Sequence, residues 1–234
     1  VGALDAGLGA VVLVNGPGSP GRIARAALDL VRAEMEGNPP PELPSTDEDQ
    51  TVDNATDYAG AYRSAERSLV FRANDNRLAL LHDDAELVLH PFGTDTFFAD
   101  HLDFSRFVFR FQRDQDRVVE VFHGADWFIS DRYDGPARFD SPPEWRAYPG
   151  HYCSHNPWCT NVEIVLRKDR LWLIVPAEPD GFDAEQPLIP LADGSFRVGE
   201  DERGPEHIRF DTVIDGRAIR ANLSGCDFFR TGAV

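Results

Sequence analysis

Two periodicities divide the chain. Between Pro20 and Glu36 the apolar residues Ile23, Ala26, Ala27, Leu30, Val31 and Met35 recur at helical spacing. Arg22, Arg25, Asp29, Arg32 and Glu36 lie opposite them, which predicts an amphipathic helix. Ser19 is placed to cap it, Pro20 sits at the first helical position, where a missing N–H costs nothing, and Gly37 supplies the stop. Ahead of the helix, residues 1–16 predict two short β-segments. The second, Ala10 to Val14, is an unbroken apolar run of the kind covered by a sheet on both faces. After the helix, Asn38 to Asn54 has no hydrophobic period and carries Pro39, Pro40 and Pro41, which predicts a stiff linker.

Beyond the linker the period becomes two. Phe107, Phe109 and Phe111 interleave with Val108, Arg110 and Gln112, and Val162, Ile164 and Leu166 with Glu163 and Arg167, the pattern of half-buried strands. Turn residues punctuate them at Asn74 to Asn76, Asp114 to Asp116, Asp193-Gly194 and Asp215-Gly216, the last being the strongest hairpin signal. The order of these strands repeats. Tyr58, Gly60, Tyr62 and Ser64 recur as Tyr148, Gly150, Tyr152 and Ser154, an offset of 90 (148 minus 58). Gly124, Asp126 and Phe128 recur as Gly225, Asp227 and Phe229, an offset of 101 (225 minus 124). Arg77-Leu78 matches Arg170-Leu171, so most of the 11 extra residues in the second copy fall in a loop at Pro176 to Gln186. The reading is an internal duplication.

Each copy, made of short strands without a helix, suits a small antiparallel barrel, because closure removes both sheet edges. The Gly-x-Tyr opening of each copy resembles the Gly-x-Trp start of lipocalin-type barrels. The expected fold is therefore mainly β: two tandem lipocalin-like barrels, residues 55–140 and 141–234, after a strand-helix segment (1–37) and a linker (38–54). Trp127, Trp145, Trp158 and Trp172 are expected in the barrel cores.

Charge and cysteine content narrow the partners. A formal charge of −17 over 234 residues argues against nucleic acid or an anionic membrane surface. No stretch approaches the roughly 20 apolar residues of a membrane span. Three cysteines, Cys153, Cys159 and Cys226, are too few and too odd for a disulfide framework and favour a reducing, cytoplasmic compartment. The chain starts at Val1, without an initiator Met and close to a strand-like run, so it is expected to begin as a fragment, with any signal peptide out of view.

Candidate chemistry is sparse. Gly16, Gly18 and Gly21 complete a G-x-G-x-x-G, but Pro17 and Pro20 remove amides that would cradle a pyrophosphate, and a linker stands where a second parallel strand belongs. His151, Cys153, His155 and Cys159 crowd into nine residues, yet alternate strand positions advance about 6.6 Å per pair, so they meet on one ion only if the chain bends sharply at Asn156-Pro157. No metal or cofactor is assigned. His123, Asp126 and Ser130 supply the residue types of a triad, but Asp126 is a repeat anchor and its expected role is structural. The candidate ligand-binding residues are His155, Asn156 and Trp158, beside that bend.

The stretch from Ala6 to Gly16 (AGLGAVVLVNG) and the helix after it resemble the last strands and terminal helix of serine hydrolases related to class C β-lactamases and D-aminopeptidases. Tyr58-Ala-Gly-Ala-Tyr62, Gly124-Ala-Asp-Trp-Phe128 and the strand from Arg170 to Val175 (RLWLIV) resemble the barrels that some members append. The resemblance implies an amide or ester hydrolase whose catalytic domain lies upstream and is the partner of these barrels. That chemistry needs a Ser-x-x-Lys. The only lysine, Lys168, is preceded at that spacing by Val165, so no catalytic residue is expected in this chain. The expectation is a non-catalytic accessory region, with self-association through residues 1–36 as a further outcome. The alternative is a free-standing pair of barrels binding a small apolar ligand.

Overall fold

The computed structural model describes residues 1–3, 5–13, 20–41, 51–156, 159–175 and 185–232. It begins with a small hairpin, β1 (Gly2–Ala3) against β2 (Leu8–Gly9), followed by the helix α1 (Pro20–Glu36). The helix ends as expected. Gly37 turns to φ +70°, its amide reaches Glu34 O, and Asn38 N–H reaches back to Ala33 O, so the last carbonyls are satisfied. The strand expected over Ala10 to Val14 does not extend. Ala10 continues the small hairpin by exchanging backbone bonds with Val1 (2.9 and 3.0 Å), but residues 11–13 lie in no strand, and Val14, Ser19 and most of the G-x-G-x-x-G segment lie outside the described residues.

Sixteen further strands close into two barrels. The first is built from β3 (Gly60–Arg63), β4 (Ser68–Asn74), β5 (Arg77–His82), β6 (Ala85–Gly93), β7 (Thr96–Ala99), β8 (Phe109–Asp114), β9 (Arg117–His123) and β10 (Asp126–Ser130). The second uses β11 (Gly150–Cys153), β12 (Asn161–Arg167), β13 (Arg170–Ile174), β14 (Glu185–Pro190), β15 (Phe196–Val198), β16 (His207–Ile214), β17 (Arg217–Leu223) and β18 (Cys226–Arg230). In both, every strand pairs antiparallel with its sequence neighbour, and the last closes on the first. The Asp215-Gly216 hairpin forms as expected, with both residues at positive φ. Phe107, read as part of a strand, instead precedes β8, whose inward residues are Phe109 and Phe111.

Paired positions define the repeat residue by residue. Gly60 lies opposite Phe71 and Gly150 opposite Ile164. At the far end the register differs from the sequence motif by one. Phe128 pairs with Val121 and Phe228 with Ala221, both buried, whereas Phe229 is 54% exposed. The structural equivalent of Phe128 is therefore Phe228, and the offset there is 100 (228 minus 128), since a slip of one residue exchanges the two faces of a strand. Most of the added length follows β13, where residues 175–184 replace the two-residue turn Asp83-Asp84; residues 176–184, nearly all of the expected insertion, lie outside the described residues, and Gln186 is already in β14.

The interiors are filled by side chains. Tyr62, Phe71, Leu78, Leu80, Leu89, Phe109, Phe111 and Phe128 occupy the first, and Tyr152, Ile164, Leu171, Leu188, Ile208 and Phe228 the second. One end of each is plugged by the segment before its first strand. The four-residue helix α2 (Ala55–Tyr58) puts the Tyr58 ring 4.9 Å from Phe97 and 5.0 Å from Phe111. A short 3-10 helix, Pro143–Ala147, brings Tyr148 to 5.9 Å from Phe196 and 4.4 Å from Phe210. Below each plug the first-strand tyrosine is locked the same way: Tyr62 donates to Tyr58 O and receives Arg132, and Tyr152 donates to Tyr148 O and receives Arg230. Burial pushes both phenols up to about 12. Gly150, at φ +154°, has no room for a Cβ because the Arg230 guanidinium lies against it.

The barrels meet through charged and aromatic side chains. Arg167 donates to both oxygens of Glu185 (2.5 and 3.2 Å) and to Gly124 O of the first barrel (2.5 Å), with its guanidinium 5.1 Å from the Phe122 ring centre. Lys168 pairs with Glu120 at 2.6 Å within reach of the rings of Phe122, Trp127, Tyr133 and Phe139. Arg106 donates to Glu163 at 2.6 Å. Trp127 and Trp172 thus lie on outer faces at this junction rather than in the cores where the sequence placed them, Trp145 packs against the second core from its plugged end, and Trp158 lies outside the described residues.

Candidate functional site

The helix α1 buries only part of its apolar surface. Ala24 and Leu28 are covered, and a cleft of about 290 Å³ between helix and hairpin is lined by Val1, Ala3, Leu28 and Arg32. Arg32 fixes the two together by donating to Asp5 at 2.7 Å. The row one step round the helix is uncovered: Ile23 is 53% exposed, Val31 48% and Met35 64%. Beside it in sequence, Val11 and Leu13 are 87% and 92% exposed. Five large apolar side chains within 25 residues is more than scattered surface hydrophobics account for. Ile23, Ala27, Leu30 and Val31 form the helix side that the sequence leaves in need of a partner, and Ile23 and Val31 are indeed exposed; the face that packs within the chain is centred on Ala24 and Leu28.

At the unplugged end of the second barrel lie the residues nominated from sequence. His155 is exposed, Asn156 donates to Cys226 Sγ at 3.4 Å, and Trp158 lies outside the described residues. His151 is engaged on both ring nitrogens, by Thr231 Oγ1 at 2.9 Å and Asn161 Oδ1 at 3.1 Å. Cys153 Sγ stands 3.9 Å from His151 Nε2, and Cys159 Sγ is bonded to Asn161 O. Burial, and secondarily the neighbouring Cys226, push the Cys159 thiol up, so it is protonated and weakly nucleophilic at neutral pH. His151, Asn156 and Cys159 are thus held by local hydrogen bonds.

Two clefts lie on barrel exteriors. One of about 840 Å³ in the first barrel includes Gly60, Arg63, Trp127, Ser130 and Arg132. Two of its polar groups are already committed: Ser130 Oγ donates to Val119 O, and Arg132 to the carbonyls of Asp57 and Ala59. One of about 620 Å³ in the second barrel is lined by Asp193, Arg209, Asp211 and Arg220. Arg220 grips Asp211 with two bonds of 2.8 and 2.9 Å, and Asp193 accepts from Ser195 and Arg209. These bonds hold both carboxyls below their usual range. The triad residue types do not converge: His123 points into the barrel toward Phe104 O, Asp126 pairs outward with Arg67, and Ser130 is bonded to backbone.

Comparison with protein families, with curated proteins and with solved structures finds no match in any of the three.

Proposed function

We propose that this chain is the non-catalytic C-terminal region of a serine hydrolase related to class C β-lactamases and D-aminopeptidases, in which the two barrels stabilise or shape an upstream catalytic domain. The observation that carries the reading is the uncovered apolar row Ile23, Val31 and Met35 with Val11 and Leu13 beside it. Such a row is what remains when the terminal helix of a larger domain is seen without the sheet it packs on. Fully covering each large aliphatic side chain contributes about 1.5–3 kcal/mol, enough for a stable intramolecular interface. The filled barrel interiors speak against a lipocalin-type calyx as the working site. In this reading the chain by itself does not hydrolyse nitrocefin, p-nitrophenyl esters or D-alanyl amides above the buffer rate.

The test uses the intact protein. A Ser-x-x-Lys must occur in the coding sequence ahead of Val1, and Ile23→Asp with Val31→Asp should lower both the melting temperature of the catalytic domain and its turnover, with the near-UV dichroism of the barrels unchanged. An upstream sequence lacking that motif, or a catalytic domain indifferent to the double substitution, would refute the assignment.

A further inference from the structure

We propose that His82, His101 and Asp103 form a binding site for a zinc-class divalent cation at the mouth of the first barrel. The inference is independent of the hydrolase reading. His82 closes β5, and His101 and Asp103 sit on the loop between β7 and β8, so two separate connections deliver the three side chains to the same end of the barrel. One ligand atom from each lies within 4.8 Å of the others. His82 Nε2 is 2.9 Å from Asp103 Oδ2, and His101 Nδ1 is 3.9 Å from the same oxygen. Around a tetrahedral zinc with bonds of about 2.0–2.2 Å, neighbouring ligand atoms stand about 3.3–3.5 Å apart. The observed separations bracket that value, and Asp103, 61% exposed, is free to adjust.

The surroundings hold the imidazoles in place. Phe104, buried in the barrel mouth against Phe109 and His123, lies 5.0 Å from the His82 ring and 6.0 Å from that of His101. The two imidazoles meet edge to face at 5.0 Å. The Asp103 backbone N–H donates to His101 Nδ1 at 3.3 Å, which marks Nδ1 as the unprotonated nitrogen, the form a metal requires, in a bond long enough to yield to one. Asp83, on the turn that follows His82, stands 3.6 Å from His82 Nε2 but outside the mutually close group, which leaves the fourth position to water. Two imidazoles with one carboxylate select zinc, cobalt or nickel over calcium and magnesium, which take all-oxygen sites. The chain's charge of −17 favours cation capture. A bound ion would tie the β5–β6 turn to the β7–β8 loop, and that loop also carries Arg106, which reaches Glu163 of the second barrel.

The experiment is calorimetric titration of the chelator-treated chain with Zn2+, and with Co2+ followed by its visible absorption, in a background where Cys153, Cys159 and Cys226 are serine. One ion per chain and an intense tetrahedral Co2+ band are expected. His101→Gln and Asp103→Asn, both outside the barrel core, should each weaken binding at least about tenfold with unchanged far-UV dichroism. Millimolar Ca2+ or Mg2+ should not displace the ion. Absence of heat and of a visible band, binding indifferent to His101→Gln, or binding lost only with the cysteines would each overturn the site.

Discussion

Removing Arg167 should be the most damaging single change at the junction between the barrels. Its side chain is 3% exposed and that of its partner Glu185 1%, so neither charge has water to fall back on. Arg167→Met keeps the aliphatic volume but deletes the two bonds to Glu185, the bond to Gly124 O and the contact with Phe122. Breaking a buried pair by removing one partner costs about 3–5 kcal/mol, because the surviving carboxylate stays desolvated. Arg110, 3.3 Å from Glu185, offsets part of that. An orphaned carbonyl and a lost cation–π contact restore about 1 kcal/mol each. The net expectation is about 3–5 kcal/mol, concentrated where the barrels meet. Urea unfolding followed by tryptophan fluorescence, which samples Trp127 in the first barrel and Trp145 and Trp172 in the second, should pass from one cooperative transition to two. Adding Glu185→Leu should recover most of the loss, since two apolar groups then replace a desolvated pair. A cost below about 1 kcal/mol with a single transition retained, or a double variant no better than Arg167→Met, would show that the pair does not couple the barrels.

Three further outcomes are expected. Gly150→Ala, at φ +154° and against the Arg230 guanidinium, should cost about 2–4 kcal/mol in thermal unfolding, whereas Gly93→Ala, with open space around its Cβ position, should stay within about 1 kcal/mol. Burial holds the His123 imidazole below its ordinary 6.5, so the unfolded chain binds the extra proton first. The stability it contributes is full above pH 6.5 and lost as pH falls toward the folded value, by at most about 1.4 kcal/mol per pH unit. His123→Leu, which copies Leu223 of the second barrel, should remove that slope in chemical denaturation with chelator present; a slope that persists would place the titration elsewhere. Tyr152→Phe removes a phenol bonded to Tyr148 O and Ala218 O and receiving Arg230, and should cost about 1–3 kcal/mol by the same measurement.

The barrels were legible because strand period, hairpin residues and duplication all act locally. The Gly-x-Tyr repeat gave the right equivalence at the start of each copy, since Gly60 and Gly150 share a positive φ (+143° and +154°) that favours glycine, each beside an arginine, although only at Gly150 would a Cβ collide with it. The second anchor misled by one residue. Gly225 and Asp227 imitate Gly124 and Asp126 in letter, but burial selects Phe228, and only face decides register in a two-period element. The run at Val11 to Leu13 misled for a different reason: composition can announce a buried strand, but pairing requires a neighbour, and no described strand offers its edge there.

The sites were harder to read because their chemistry is assembled across the sequence. His82 and His101 are 19 residues apart with no spacing motif, and what unites them is the adjacency of two connections at one barrel end together with the buried Phe104. The cysteine and histidine cluster near residue 155 made the opposite impression, dense in sequence yet tied up in space by Thr231, Asn161 and backbone. The junction shows the same rule. Arg167 and Lys168 are unremarkable letters at a hairpin turn, and their burial follows only from the first barrel presenting Glu120, Phe122 and Gly124 on an outward face. Duplicated barrels share inward residues because closure demands the same filling twice. Their outward faces diverge because one barrel must bind the other, and those faces, together with the loops at the barrel mouths, are where function is to be sought.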